Sequence, residues 1–203
     1  RGLIDRRVLV NFRVDPEVLA AITPDPFRPQ TVHGYGIAGI CLIRLKHVRP
    51  GFLPACVGIS SENAAHRIAV EWDSDNGVRT GVFIPRRDTS MWLNAFAGGR
   101  LFPGVHHYAD FEIQETLDHY EIGVRSRDGS ARVLVDAQVA SKLPAASIFP
   151  SVTAVSQFFE AGSIGYSPDA SNRQFDGLEL RTLNWQVQPL SITRVESSFF
   201  DDH

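Results

Sequence analysis

Apolar and polar residues alternate with a period of two along most of the chain, the pattern of strands with one buried face. In "VLVNFRV", Val8, Val10, Phe12 and Val14 share one face, and Leu9, Asn11 and Arg13 share the other. Asp15-Pro16 ends this run, and "DPEVLAAIT" predicts a short helix capped by Asp15 with Pro16 at its first position. "YGIAGICLIRL", from Tyr35, is apolar enough for a strand covered on both faces. "GVRTGVFIP", "HYEIGVRS" and "ARVLVDAQVA" predict further strands, the last two joined by an Asp-Gly turn in "RDGS". "LELRTLNWQVQ" and "LSITRVESSFF" predict two more near the C-terminus. Helices are fewer. "TSMWLNAFAGG" lies between a Thr89 or Ser90 cap and a Gly98-Gly99 stop, and "PSVTAVSQFFEAG" ends at Gly162. Many strands and few short helices predict a mainly β (α+β) fold, a barrel or sandwich forming one domain over residues 1–203. A closed barrel would also remove the exposed sheet edges.

Composition narrows the partners. Of 203 residues, 43% are hydrophobic and 21% charged, which fits a globular protein with a sizeable core. A net charge of −3 argues against a nucleic-acid partner. No apolar run approaches about 18 residues, so no membrane span is expected. Cys41 and Cys56 do not form a C-x-x-C pair. They are expected as buried free thiols in a reducing cytosol, which makes the expected location cytoplasmic. Lys46 and Lys142 are the only lysines, so a mechanism needing a lysine nucleophile has two candidates.

Candidate chemistry centres on "GGRLFPGVHHYADF", where two histidines follow a Gly/Pro-rich bend. Read as a strand from Val105, the odd positions Val105, His107, Ala109, Phe111 and Ile113 form an apolar face broken only by His107. His106 then points the other way, so the two histidines do not act as a pair. An inward histidine among apolar neighbours needs a partner, at a cost of roughly 1–3 kcal/mol if it has none. The bland alternative is a core histidine bonded to a backbone carbonyl.

"SSENAAHRIAVEW" offers Glu62 and His66. If extended, the two sit about 13 Å apart on an apolar face. If they form a helical turn capped by Ser61, they become neighbours about 5–6 Å apart. Only the helical form allows a shared metal, and no metal is expected. "PRRDTS" places Arg86, Arg87 and Asp88 just before the predicted helix. That suits either an anion at the helix N-terminus or a solvated Arg–Asp pair. Arg13, mid-strand, can hold a carboxylate with a bidentate fork. There is no Gly-rich phosphate loop, G-x-S-x-G elbow or calcium-loop pattern, and no cofactor is expected.

The order "VNFRVDPEVL", "SENAAHRIAV", "AGGRLFPGVHH" resembles the acetoacetate decarboxylase-like superfamily. With "IPRRDTS" and the terminal "SSFFDD" it resembles more closely an uncharacterised, YqjF-like bacterial branch of that superfamily. The resemblance implies a closed β-barrel or cone around a small-molecule cavity. It implies that Arg13 and Glu62 match a family arginine and glutamate. It also implies that His107 stands at the position of the lysine that forms a Schiff base with a β-keto acid. Histidine forms no such imine.

The expected function is therefore acid–base chemistry (lyase, isomerase or hydrolase) on a small oxo- or hydroxy-carboxylate. Arg13, Glu62 and His107 are the catalytic candidates, and Arg13, His66 and His106 the ligand contacts. A histidine pKa of about 6.5 suits proton exchange near neutral pH. The alternative is a non-catalytic barrel that binds a small molecule. A homo-oligomer is compatible with either.

Overall fold

The computed structural model describes residues 1–92, 104–169, 173–180, 182 and 185–201. The strands are β1 (Leu3–Val14), β2 (Arg28–Pro29), β3 (Thr31–Val32), β4 (Tyr35–Val48), β5 (Ile59–Ser74) and β6 (Gly77–Thr89). After them come β7 (His106–Glu115), β8 (His119–Ser126), β9 (Arg132–Val139), β10 (Ile164–Pro168), β11 (Phe175–Glu179) and β12 (Leu190–Ser197). Helices α1 (Pro16–Ile22), α2 (Val152–Ala161) and α3 (Ser198–Asp201) are short. Among the described residues, no helix is long and apolar enough to cross a membrane.

One sheet runs in the order β1-β4-β5-β6-β7-β8-β9-β12. All neighbours on this path are antiparallel except β6 and β7, which are parallel. That parallel junction lets the sheet curl, so β7, β8 and β9 lie over β1 and β4. The alternation read from the sequence drives the curl. Val8 and Val10 of β1, Ile40 and Leu42 of β4, Ile122 and Val124 of β8, and Val133 and Val135 of β9 meet in one buried cluster. A second cluster continues along the inner face through Ala38, Ile68, Val70, Trp72 and Phe83, closed by Leu19 of α1 and by Phe27. On the outer face, α2 lays Phe159 on Ile37 and Ala69. The architecture is thus the mainly β, barrel-like class expected. Its form is a curled half-barrel, and among the described residues the pairing path leaves the outer edge of β1 open.

Local expectations hold where a specific residue sets them. Asp15 accepts a hydrogen bond from the Glu17 backbone N–H (2.9 Å) at the start of α1. Ser151 caps α2 by accepting from the Ala154 N–H, and Gly162 ends it. Gly129 of "RDGS" takes φ 73° in the β8–β9 turn.

Four expectations change. "SENAAHR" is extended within β5, so the helical metal alternative is gone. Arg86, Arg87 and Asp88 lie inside β6, because that strand continues past Pro85 to Thr89. Residues 185–188 of "LELRTLNWQVQ" form no strand, and "SSFF" turns into α3 after β12. Cys41 is buried, but Cys56 is exposed. The helix expected from "TSMWLNAFAGG" and the "GGR" bend fall largely on residues 93–103, outside the described residues.

Candidate active site

The junction between the two inner-face clusters is polar. Register places Ala64 opposite Asp88 and His66 opposite Arg86, while Asp88 pairs with His107 across the parallel β6–β7 ladder. Arg86 donates to both oxygens of Asp88, through Nε at 2.9 Å and Nη2 at 2.8 Å. It also donates to Ser130 Oγ (2.6 Å) and Ser126 Oγ (2.7 Å), and reaches Asp128 at 3.3 Å. Asp88 is 1% exposed, so this ion pair is desolvated, and its hydrogen bonds compensate the burial.

Asp128, in the β8–β9 turn, joins this network to His107. It accepts from Ser126 Oγ (2.6 Å), the Ser130 N–H (2.9 Å) and the Ser130 hydroxyl. Burial pushes its carboxyl up, but those hydrogen bonds and the Arg86 charge outweigh it and hold the pKa below the ordinary value. Asp128 Oδ2 lies 2.8 Å from His107 Nδ1. The His107 side chain is 37% exposed, so an ionised carboxylate backs an imidazole that a ligand can reach.

His107 is on the predicted face, in step with Ala109, Phe111 and Ile113 of the core. It sits at the start of β7 and takes its partner from the turn. His106 faces the other side and is half-buried. Its Nδ1 lies 3.0 Å from the Gly104 carbonyl, and burial, with Arg87 nearby, lowers its pKa to about 4. The outer face of the sheet at this point is covered, which period-two alternation cannot show.

His66 is 0% exposed, and neither ring nitrogen has a hydrogen-bond partner among the described residues. Its nearest acid is Asp88, at 4.0 Å. Phe199 of α3 stacks on it with 4.4 Å between ring centroids, and Phe200 approaches edge-on at 5.7 Å. Burial, and then Arg86, pushes its pKa down to about 3. His66 is therefore enclosed rather than a ligand contact.

Glu62 stands at another end of the inner face. One oxygen accepts from Arg6 (2.6 Å) and the other from Arg44, while Glu115 bridges the same two arginines. This carboxylate is committed to two guanidinium groups. Arg13 is exposed and lies over the Tyr35 ring at 5.5 Å. Val8, Leu42, Ala64, Asp88 and His107 lie across the sheet in one row. Arg13 is five positions along β1 from that row and on the opposite face, a separation of about 16 Å. Arg13, Glu62 and His107 are thus placed in three separate settings. Sequence reasoning had placed them together. It missed Asp128, read only as a turn residue, and Ser126. It read Arg86 and Asp88 as an anion site or a solvated pair, and they form a buried pair instead.

A large cleft of about 1040 Å³ opens along the free edge of β1. Val135, Ala137 and Tyr120 face it on one side, and Phe159, Trp185 and Ile148 on the other. Among the described residues no cluster suited to a metal ion occurs.

Comparison with known proteins places this architecture. An acetoacetate decarboxylase from Legionella pneumophila aligns with 95% of this chain and 65% of its own, at 14% identity and a TM-score of 0.49. The chain thus spans just under two thirds of that enzyme's length. The enduracididine biosynthesis enzyme MppR with HEPES bound aligns over 94% of this chain and 79% of its own, at 10% identity and a TM-score of 0.52. MppR complexed with pyruvate aligns over 94% and 81%, at 11% identity and a TM-score of 0.51. At these identities the MppR matches show a shared fold and nothing of the chemistry. No curated protein matches the chain. One family profile, described as DUF2071, uncharacterized conserved protein (COG2071), matches residues 4–203, and the chain belongs to that family.

Proposed function

We propose that this protein carries out acid–base chemistry on a small oxo- or hydroxy-carboxylate, with His107 as the proton carrier and Asp128 as its orienting carboxylate. The 2.8 Å approach of Asp128 Oδ2 to His107 Nδ1 carries this reading. A carboxylate there holds the proton on Nδ1, leaves Nε2 to exchange protons with a ligand, and stabilises the imidazolium when it forms. Arg86, Ser126 and Ser130 fix the carboxylate in turn. The choice of a small oxo- or hydroxy-carboxylate is an analogy with the pyruvate complex of a protein that shares the fold.

Imine chemistry is not part of the reading. Lys46 is tied to Asp5 at 2.9 Å, and Lys142 is exposed in the segment after β9. Glu62 and Arg13 are not assigned to the proton step. Glu62 is held by Arg6 and Arg44, and Arg13 is too far from His107 for one small substrate to touch both.

The test is a turnover screen of β-oxo, 2-oxo and 2-hydroxy acids with the wild type and His107→Gln, with borohydride added in parallel. Turnover that falls by about 10²-fold or more in the variant, with no borohydride-trapped adduct, is expected. Equal turnover in the variant, or a trapped adduct, overturns the reading.

The cleft favours a second reading, a protein that binds a small molecule without converting it, because that cleft lies apart from His107. Ligands that raise the melting temperature and are recovered unchanged support it. Consumption of those ligands sinks it.

A further inference from the structure

Several arginines of the sheet meet carboxylates, on the outer face as well, where Arg28 pairs with Glu71 and Arg127 with Asp110, but one outer group does not. On the inner face, Arg6 and Arg44 meet Glu62 and Glu115, and Arg86 meets Asp88 and Asp128. On the outer face, Arg7, Arg67 and Arg87 have no acid partner among the described residues. Each of these three arginines keeps a buried nitrogen without a hydrogen-bond partner among the described residues: Nε of Arg7, Nε of Arg67 and Nη2 of Arg87.

Arg67 is 5% exposed; it donates to Asn11 Oδ1 and lies 4.6 Å over the Phe159 ring. Burial lowers its pKa to about 10, Cys41 opposes that shift, and the Arg7 charge adds to it, so the two cations lie close enough to repel. Removing guanidinium groups from water without a counter-charge is costly, and an anion held at Arg7 would supply the missing negative charge to both.

The cleft supplies the space. It wraps the free edge of β1, and on the outer side it is lined by Arg7, Asn11, Leu9, Ile37, Phe159 and Trp185. The Arg7 guanidinium lies over the Trp185 ring at 5.2 Å. The Trp185 indole N–H donates to Ser156 Oγ at 2.7 Å, which fixes the ring. The carboxylates that also line the cleft are occupied: Asp5 by Lys46, and Glu115 by Arg6 and Arg44. A volume of about 1040 Å³ with mostly aromatic and aliphatic walls is far larger than a three-carbon acid needs.

We propose that the outer flank of this cleft binds an organic carboxylate with an aromatic or long apolar body, its charged end at Arg7 and its body against Trp185, Phe159 and Leu9. Arg67, behind Asn11, adds positive potential without touching the ligand. The site is separate from His107 and Asp128, and binding here does not depend on their chemistry.

The test uses 2-naphthylacetate and its primary amide, which share a shape and differ in charge. Both are titrated calorimetrically into the wild type, Arg7→Gln and His107→Gln. A charge-assisted hydrogen bond predicts that the wild type prefers the acid by roughly tenfold or more. In Arg7→Gln the amide affinity is kept and the preference falls to about one, while His107→Gln behaves as wild type. The acid-to-amide ratio in the wild type needs no variant to fold. Absence of acid binding up to millimolar concentration, equal binding of acid and amide, or a preference that survives in Arg7→Gln overturns the proposal.

Discussion

Acid should weaken this fold before its carboxylates titrate, because the buried His66 and the half-buried His106 resist protonation. His66 is enclosed by Phe199 and Phe200 with no partner for either ring nitrogen among the described residues, and burial lowers its pKa from 6.5 to about 3. His106 is lowered from 6.5 to about 4, by burial first and then by the Arg87 charge, against the opposing Gly104 carbonyl. In the unfolded chain both take up a proton near 6.5. Between there and their folded values the unfolded state binds more protons, so stability falls as the pH falls. The contribution is complete above 6.5 and is lost progressively down to about 3 for His66 and about 4 for His106.

At about pH 5, some 1.5 units below the unfolded value, each histidine costs about 2 kcal/mol at 1.36 kcal/mol per unit. Together they remove about 4 kcal/mol, a large share of a typical 5–15 kcal/mol. Urea unfolding at about pH 8 and pH 5, at one ionic strength, reads the difference. His66→Phe places a third ring beside Phe199 and Phe200 and removes one titration, so it should keep only about half of the pH dependence. The same loss in His66→Phe as in the wild type, or an NMR titration of His66 with a midpoint near 6 or above, would refute the reasoning.

Three further outcomes follow from the same contacts. Glu62→Gln leaves Arg6 and Arg44 with Glu115 alone and should cost about 3 kcal/mol in urea unfolding. Turnover of any substrate found should survive that change; a folded but inactive Glu62→Gln would return Glu62 to the proton chemistry. Gly104 has φ +83°, and a Cβ there would lie 2.6 Å from Ser167 Cβ. Gly104→Ala should therefore cost about 2 kcal/mol or more in the same assay, with no loss contradicting the packing described. Asp128→Asn removes the carboxylate behind His107 and should lower turnover by about 10²-fold with the fold retained by circular dichroism. Unchanged turnover would show that Asp128 only ties the turn.

The strands were legible because period-two alternation is strong in β1, β8 and β9, and the caps at Asp15 and Ser151 are short-range hydrogen bonds. The sequence also put His107 on the core face. What it could not show was where a strand end meets a turn from another hairpin. The approach of Asp128 to His107 depends on the β7–β8–β9 register and leaves no spacing signal along the chain. Glu62 and Arg13 were grouped with His107 because each matched a family position, but register puts them in other rows. Arg67 carried a usable signal. It lies between His66 and Ile68 in a run apolar on both faces, which implies a strand covered on both sides and hence a buried guanidinium.

The central claim is that His107, backed by Asp128, moves a proton to and from carbon without an imine. Hydrogen–deuterium exchange at the carbon beside the carbonyl of a 2-oxo or β-oxo acid, followed by proton NMR in D2O, tests it most directly. The wild type should catalyse exchange in at least one acid of the panel, and His107→Gln should reduce it to the uncatalysed rate. No exchange above background with the wild type, or equal exchange with His107→Gln, would contradict the account.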